Sequence, residues 1–209
     1  VSRVAVNLRG VDAADVHRGD ALLSPQAWRM LDTVDVRRTF GSELAQLPQN
    51  IVVHIGTAGV GARLRPLGGD YARLTLDEPL PLTLLDRFVV RSPGGRHVVA
   101  GVEIVDVNPA ELNRRGDAKR RAAQLDEVSP LDPAAWLRRC GYDRVENLVR
   151  DGFAVDNKPA GIIEFREWWI AASQVSSWKE TLLGAVKKHT ESNPLAPGLP
   201  RAAAMDALG

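Results

Sequence analysis

The sequence predicts a multi-domain chain in which a small antiparallel β-barrel is followed by α-rich winged-helix modules. Three observations predict it. From Val1 to about Pro109 the apolar residues recur with a period of two in short runs broken by Pro, Gly and Asp turns. Within that region, Asp86 to Pro109 reads as one hairpin: a strand around Phe88 and Val90, the turn Pro93-Gly94-Gly95, then a β-branched strand from His97 to Val107. After Pro109 the period becomes helical, and Asp132-Pro133 has the form of a helix N-cap followed by proline in the first turn.

Taken in order, the strands are expected at Val4 to Leu8, Thr33 to Thr39, Ile51 to Gly56, Ala62 to Pro66, Tyr71 to Leu76, Asp86 to Ser92 and His97 to Val107. So many short strands without interleaved helices need closure or stacking to hide their edges. A barrel over residues 25–109 satisfies that need. Residues 1–24 are too short to close a barrel of their own.

Beyond the barrel, 110–131 reads as a basic linker or helix, with Lys119, Arg120 and Arg121 inside an Ala118–Leu125 helix. A short helix follows Asp132, and Asp143 to Asp151 can set Val145, Leu148 and Val149 on one face before Gly152 stops it. Phe153 to Val155 and Ile162 to Phe165 would flank Asn157–Gly161 as a two-stranded wing, completing a winged helix over 132–172. A helix capped by Ser177 and running to Glu191, with Trp178, Leu182, Leu183 and Val186, would open a second such module over 173–209.

Composition excludes several classes. Lys plus Arg number 27 against 26 Asp plus Glu, so there is no global basic field and any nucleic-acid contact must be local. The one cysteine, Cys140, excludes an internal disulfide and multi-cysteine zinc patterns, and suits a reducing cytoplasm. No stretch reaches the roughly 18 apolar residues of a membrane helix, and the start lacks a signal-peptide layout.

No stretch carries the chemistry of an enzyme. There is no G-x-x-x-x-G-K-[ST] loop, so the cradle and lysine for nucleotide phosphates are missing. Gly56 to Gly61 imitates such a loop but sits between two strands, and Asn157-Lys158-Pro159-Ala160 imitates a guanine-reading motif but has alanine in place of its aspartate. The four histidines are scattered without metal-ligand spacing, and Cys140 has no histidine near it in sequence. No metal or cofactor is expected in this segment.

Several stretches resemble one family. The R-F-V-V-R strand, G-G-R turn and A-G-V strand at 87–102 resemble the last hairpin of the third domain of EF-Tu-type translation factors, and Arg3 to Leu8 with Arg18-Gly19-Asp20 resembles the end of their second domain. Val53 to Ala58, Ala62-Arg63-Leu64 and the N-P-L-A-P-G-L-P of 193–200 resemble the selenocysteine-specific branch, SelB. The resemblance implies that 1–24 closes a domain II-like barrel, that 25–109 is a domain III-like barrel, and that the GTPase domain, with its GTP and Mg, lies outside this segment.

The resemblance further implies delivery of selenocysteinyl-tRNA to the ribosome at recoded UGA codons by a cytoplasmic, monomeric factor, with missing C-terminal domains holding the hairpin of the selenoprotein mRNA. Arg3 matches the arginine that lines the selenocysteine pocket; physically, a fixed guanidinium favours an ionised selenol over a neutral serine hydroxyl. Arg63, Arg65, Arg87, Arg91 and Arg96 are the candidates for tRNA contact, and Lys119, Arg120 and Arg121 for RNA contact from the linker. Residues 26–108 also balance nine Arg against nine Asp plus Glu, so ion pairing competes with that role. The alternatives are a non-enzymatic winged-helix nucleic-acid adaptor and a piece of a general elongation factor.

Overall fold

The structure, a computed structural model, describes residues 5–95, 97–127, 129–195 and 198–208. The chain divides into two compact units, Val1–Pro130 and Leu131–Gly209.

The first unit is built on a closed six-stranded antiparallel barrel with strand order β1-β4-β3-β2-β5-β6. Its strands are β1 (Met30–Gly41), β2 (Asn50–Ile55), β3 (Ala58–Gly68), β4 (Tyr71–Pro81), β5 (Arg87–Arg91) and β6 (Val98–Asp106). The period-two pattern sets the inside: Val34, Val36, Ile51, Val53, Leu64, Leu74, Val90 and Ile104 are buried in the lumen. Gly56 to Gly61 forms the β2–β3 hairpin, where Ile55 pairs with Ala58. It leads into a strand and not a helix, so no phosphate cradle is formed there. Gly101 on β6 lies opposite Phe40 on β1, and a Cβ at 101 would overlap the Phe40 ring; the glycine admits the aromatic across the ladder.

Two sequence expectations change in this unit. Val4–Leu8 does not form a strand over its described residues 5–8, and residues 5–24 contain only a 3-10 turn at Ala13–Asp15. A strand needs a neighbour to take its N–H and C=O groups, and no described segment pairs with this one. The 110–131 segment is no free linker either. Its helix, α1 (Asp117–Glu127), lies on the outer wall of the barrel, where Leu112, Ala118, Ala122 and Leu125 cover Leu67, Tyr71 and Val105.

The second unit begins with α2 (Pro133–Cys140), whose N-cap Asp132 accepts a hydrogen bond from the Ala134 amide at 2.9 Å. Then follow β7 (Tyr142–Arg144), α3 (Val145–Asp151), β8 (Ile162–Phe165), β9 (Trp168–Ala171), α4 (Ala172–Ser192) and α5 (Arg201–Leu208), with sheet order β7-β9-β8. Gly152 ends α3 in the left-handed conformation, as expected of a C-terminal stop. Trp136, Leu137, Leu148, Phe153, Ile162 and Trp169 make the core, and the Trp136 and Phe153 rings stand 5.2 Å apart.

Here the hairpin is shifted from its expected place. Phe153 is drawn into the core instead of a strand, and β8 turns directly into β9 through Arg166-Glu167, with Arg166 at φ 55°. Helix α4 starts at Ala172, so Ser177 lies inside the helix and caps nothing. No described helix is long and apolar enough to cross a membrane.

Candidate functional site

Alternation along the strands sorts the barrel arginines by what covers them. On β3, Arg63 and Arg65 point outward and are exposed. On β5, Arg87 and Arg91 alternate with the buried Phe88 and Val90 and so point outward too. Strand β2 lies between: Asn50 pairs with Arg63, and Val52 pairs with Gly61 on one side and Arg91 on the other. Four of the expected residues therefore share the outer face of three adjacent strands.

Each has a partner inside the barrel unit but keeps surface to spare. Arg87 donates Nε to Glu103 Oε2 at 3.2 Å while its side chain remains 77% exposed. Arg65 Nη1 donates to the Leu112 carbonyl at 3.4 Å. Arg91 Nη2 donates to the Gly95 carbonyl at 2.6 Å, and its Nε is buried with no acceptor among the described residues. Beside it lies a depression of about 260 Å³ lined by Val52, His54, Arg91, Ser92, Gly94 and Gly95. A guanidinium, an imidazole, a serine and a glycine turn thus border one hollow. Arg3 and Arg96 lie outside the described residues.

The opposite side of the barrel is sealed by charge pairing. Across β3, β4, β1 and β6 the register aligns Arg65, Arg73, Asp35 and Asp106. Arg73 donates Nε to Asp35 Oδ1 at 2.8 Å, Nη2 to Asp35 Oδ2 at 3.2 Å and Nη1 to the Ala110 carbonyl at 2.7 Å. From α1, Arg121 donates Nε to Asp35 Oδ2 at 2.7 Å and Nη2 to Asp106 Oδ2. Asp35, Arg73, Asp106 and Arg121 are all buried. This corrects the expectation for Arg121: it cannot touch RNA because its guanidinium is spent on two buried carboxylates. Its neighbours Lys119 and Arg120 are exposed, and Arg120 pairs with Asp117.

A second transverse row ties Arg37, whose side chain is 45% exposed, to Glu103. Glu103 on β6 lies between Arg37 and Arg87 in the register, and Arg37 Nη2 donates to its Oε1. Burial alone would raise the Glu103 pKa, but the hydrogen bond and charge of Arg37, reinforced by Arg87, hold it below the ordinary glutamate value. Arg38 pairs with Asp70 and with the Gly41 carbonyl. The sequence could not show this division, because it depends on which carboxylates the strand register and α1 bring against each arginine.

Residues 32–111 match the family model of the β-barrel domain of the selenocysteine-specific elongation factor. The match spans the barrel and stops short of the second unit. Likeness to SelB extends past the barrel: the chain is 24% identical to the selenocysteine-specific elongation factor of Escherichia coli (strain K12), over 94% of this chain and 33% of that protein. A crystal structure of the bacterial selenocysteine-specific elongation factor EF-Sec superposes with a TM-score of 0.76 at 18% identity, covering 96% of this chain and 33% of that one. The chain thus spans about a third of the length of the SelB relatives it matches. The expected likeness to a SelB segment, with a closed antiparallel barrel followed by helices and a small sheet, is what these matches give.

Proposed function

We propose that this chain supplies the tRNA-holding barrel and the succeeding arm of a cytoplasmic selenocysteine-specific elongation factor, which delivers selenocysteinyl-tRNA to the ribosome at recoded UGA codons. One observation carries the tRNA role: Arg63, Arg65, Arg87 and Arg91 all point outward from the adjacent strands β3, β2 and β5, on a face where α1 covers only Leu67, Tyr71 and Val105 at its margin. Phosphate contact requires guanidinium donors at an open surface, and this face offers them. In this reading Arg3 favours the selenolate and Arg96 is a further tRNA contact.

The helix, strand, helix and hairpin order of α2, β7, α3, β8 and β9 supports a winged helix over 132–172, with 173–209 leading toward a second and then toward domains that hold the mRNA hairpin. Residues 1–24 would close a domain II-like barrel. GTP and Mg belong to the parent factor. The two stretches here that imitate nucleotide motifs do not fit them: one is the β2–β3 hairpin, and the other, 157–160, lacks the aspartate that would read the base.

The test is binding of selenocysteinyl-tRNA and seryl-tRNA to the parent factor with GTP at fixed salt. Arg3→Ala should remove about 1–3 kcal/mol of the preference for selenocysteine, and Arg63→Ala with Arg91→Ala should weaken both tRNAs alike. A wild-type factor without preference sinks the SelB assignment. Binding that survives all barrel changes but fails on changes in the β8–β9 hairpin would favour the winged-helix adaptor.

A further inference from the structure

The small sheet of the second unit has a face that its own core does not use. Ile162, Trp169 and Ala171 point into the core, so the residues alternating with them point away. The register aligns Arg144, Trp168 and Phe165 in one row across β7, β9 and β8, and Tyr142, Ile170 and Ile163 in the next. Helix α4 covers one end of this face, where the Trp178 ring stands 5.3 Å from Tyr142. The other end is open: Phe165 is 60% and Ile163 41% exposed.

Two guanidinium groups are seated against rings of this face. Arg144 lies 4.9 Å above the Trp168 ring, and Arg166, in the turn, lies 5.5 Å from the Phe165 ring. No carboxylate occupies the two outward rows; Asp143 and Glu164 flank Trp169 on the opposite face. The exposed Phe165 ring and the half-buried Trp168 ring, each with a cation beside it, offer stacking surface for nucleobases and positive charge for the backbone between them. Two rings on neighbouring strands, within stacking reach of successive bases, suit an unpaired strand, since the bases of a duplex keep their faces against one another.

We propose that the outer face of β7, β9 and β8, centred on Arg144, Trp168 and Phe165, binds single-stranded RNA by base stacking. This goes beyond the barrel's proposed hold on tRNA and does not depend on it.

The experiment titrates the 209-residue chain into short fluorescein-labelled oligouridylate, into an abasic strand of equal length and into a duplex of equal length, at one salt concentration. Wild type should prefer the oligouridylate over both others. Phe165→Ala and Arg144→Ala should each weaken that binding about tenfold, whereas Phe165→Tyr, which keeps the ring, retains it. Arg38→Ala, at a barrel residue paired with Asp70 and the Gly41 carbonyl, should leave it within about twofold. Because Phe165 is exposed, its truncation leaves the fold intact, which circular dichroism checks. Equal binding of the abasic strand, or unchanged binding by Phe165→Ala, overturns the proposal. So does self-association of the wild type that Phe165→Ala abolishes, because the face would then belong to a protein contact.

Discussion

Arg121 of α1 and Asp35 of β1 are joined by a 2.7 Å hydrogen bond between side chains that are both buried, across 86 residues of sequence. The same guanidinium reaches Asp106, and Arg73 holds Asp35 from the other side, so two cations and two anions neutralise one another beneath the helix. Removing one member strands the rest in a low-dielectric site. Arg121→Ala should therefore destabilise the barrel unit by about 3–5 kcal/mol, whereas Lys119→Ala, two residues away and exposed, should stay within about 0.5 kcal/mol. Urea unfolding followed by circular dichroism compares them. Equal midpoints for the two variants would remove the network from the account of stability.

Glu103 gives the barrel a dependence on acid. Its folded pKa is depressed by Arg37 and Arg87 despite burial, so its contribution is fully present above the unfolded value, near 4.5, and fades as pH falls through the lower folded value. Stability of wild type should drop below about pH 4.5 more steeply than that of Glu103→Gln, which lacks the titrating group. Parallel curves for the two proteins in thermal unfolding between pH 3 and 6 would show that the pairing contributes nothing. Arg87→Ala should reduce the effect less than Arg37→Ala, since Arg87 is the more exposed partner.

The barrel was legible because its signal is local: alternation at Ile51, Val53, Phe88 and Val90, and glycine turns at 56 and 94, are each contained in a few residues. Asp132, Pro133 and Gly152 marked helix ends for the same reason. What the sequence hid depends on the third dimension. Arg121 reads as one more basic residue in K-R-R until α1 is laid on β1 and β6. The wing was misplaced because Phe153 has a strand-like look but fills the space beside Trp136, and because the Arg166 turn carries no glycine to announce it. The four outward arginines were named from the sequence; their shared face follows from the β3-β2-β5 strand order, which is not sequential.

That face predicts a graded salt response. In the parent factor, each phosphate-contacting arginine contributes to the slope of log affinity against log salt, and removing one should lower the slope by about one while weakening all tRNAs alike. Arg63→Ala and Arg91→Ala should show this effect. Arg38→Ala should not, because Arg38 is committed to Asp70 and the Gly41 carbonyl. Filter binding over a salt series measures the slopes; a change for Arg38→Ala as large as for Arg91→Ala would mean that the interface is diffuse and not set by the β3-β2-β5 face.

Cys140 should behave as an inert thiol. It closes α2 as an exposed residue whose sulfur is nonetheless partly desolvated by the surrounding chain, and that desolvation and then the charge of Asp143 raise its pKa to about 11, so the reactive thiolate is scarce near neutrality. Alkylation by iodoacetamide should be slower than for a free cysteine by roughly the ratio of thiolate fractions, about three hundredfold at pH 7.5, and should keep rising up to pH 11. Asp143→Asn removes the carboxylate that opposes ionisation, so it should shift the profile toward lower pH. A rate already levelling off at pH 9 in the wild type would mean that the sulfur is well solvated and that neither burial nor Asp143 restrains it.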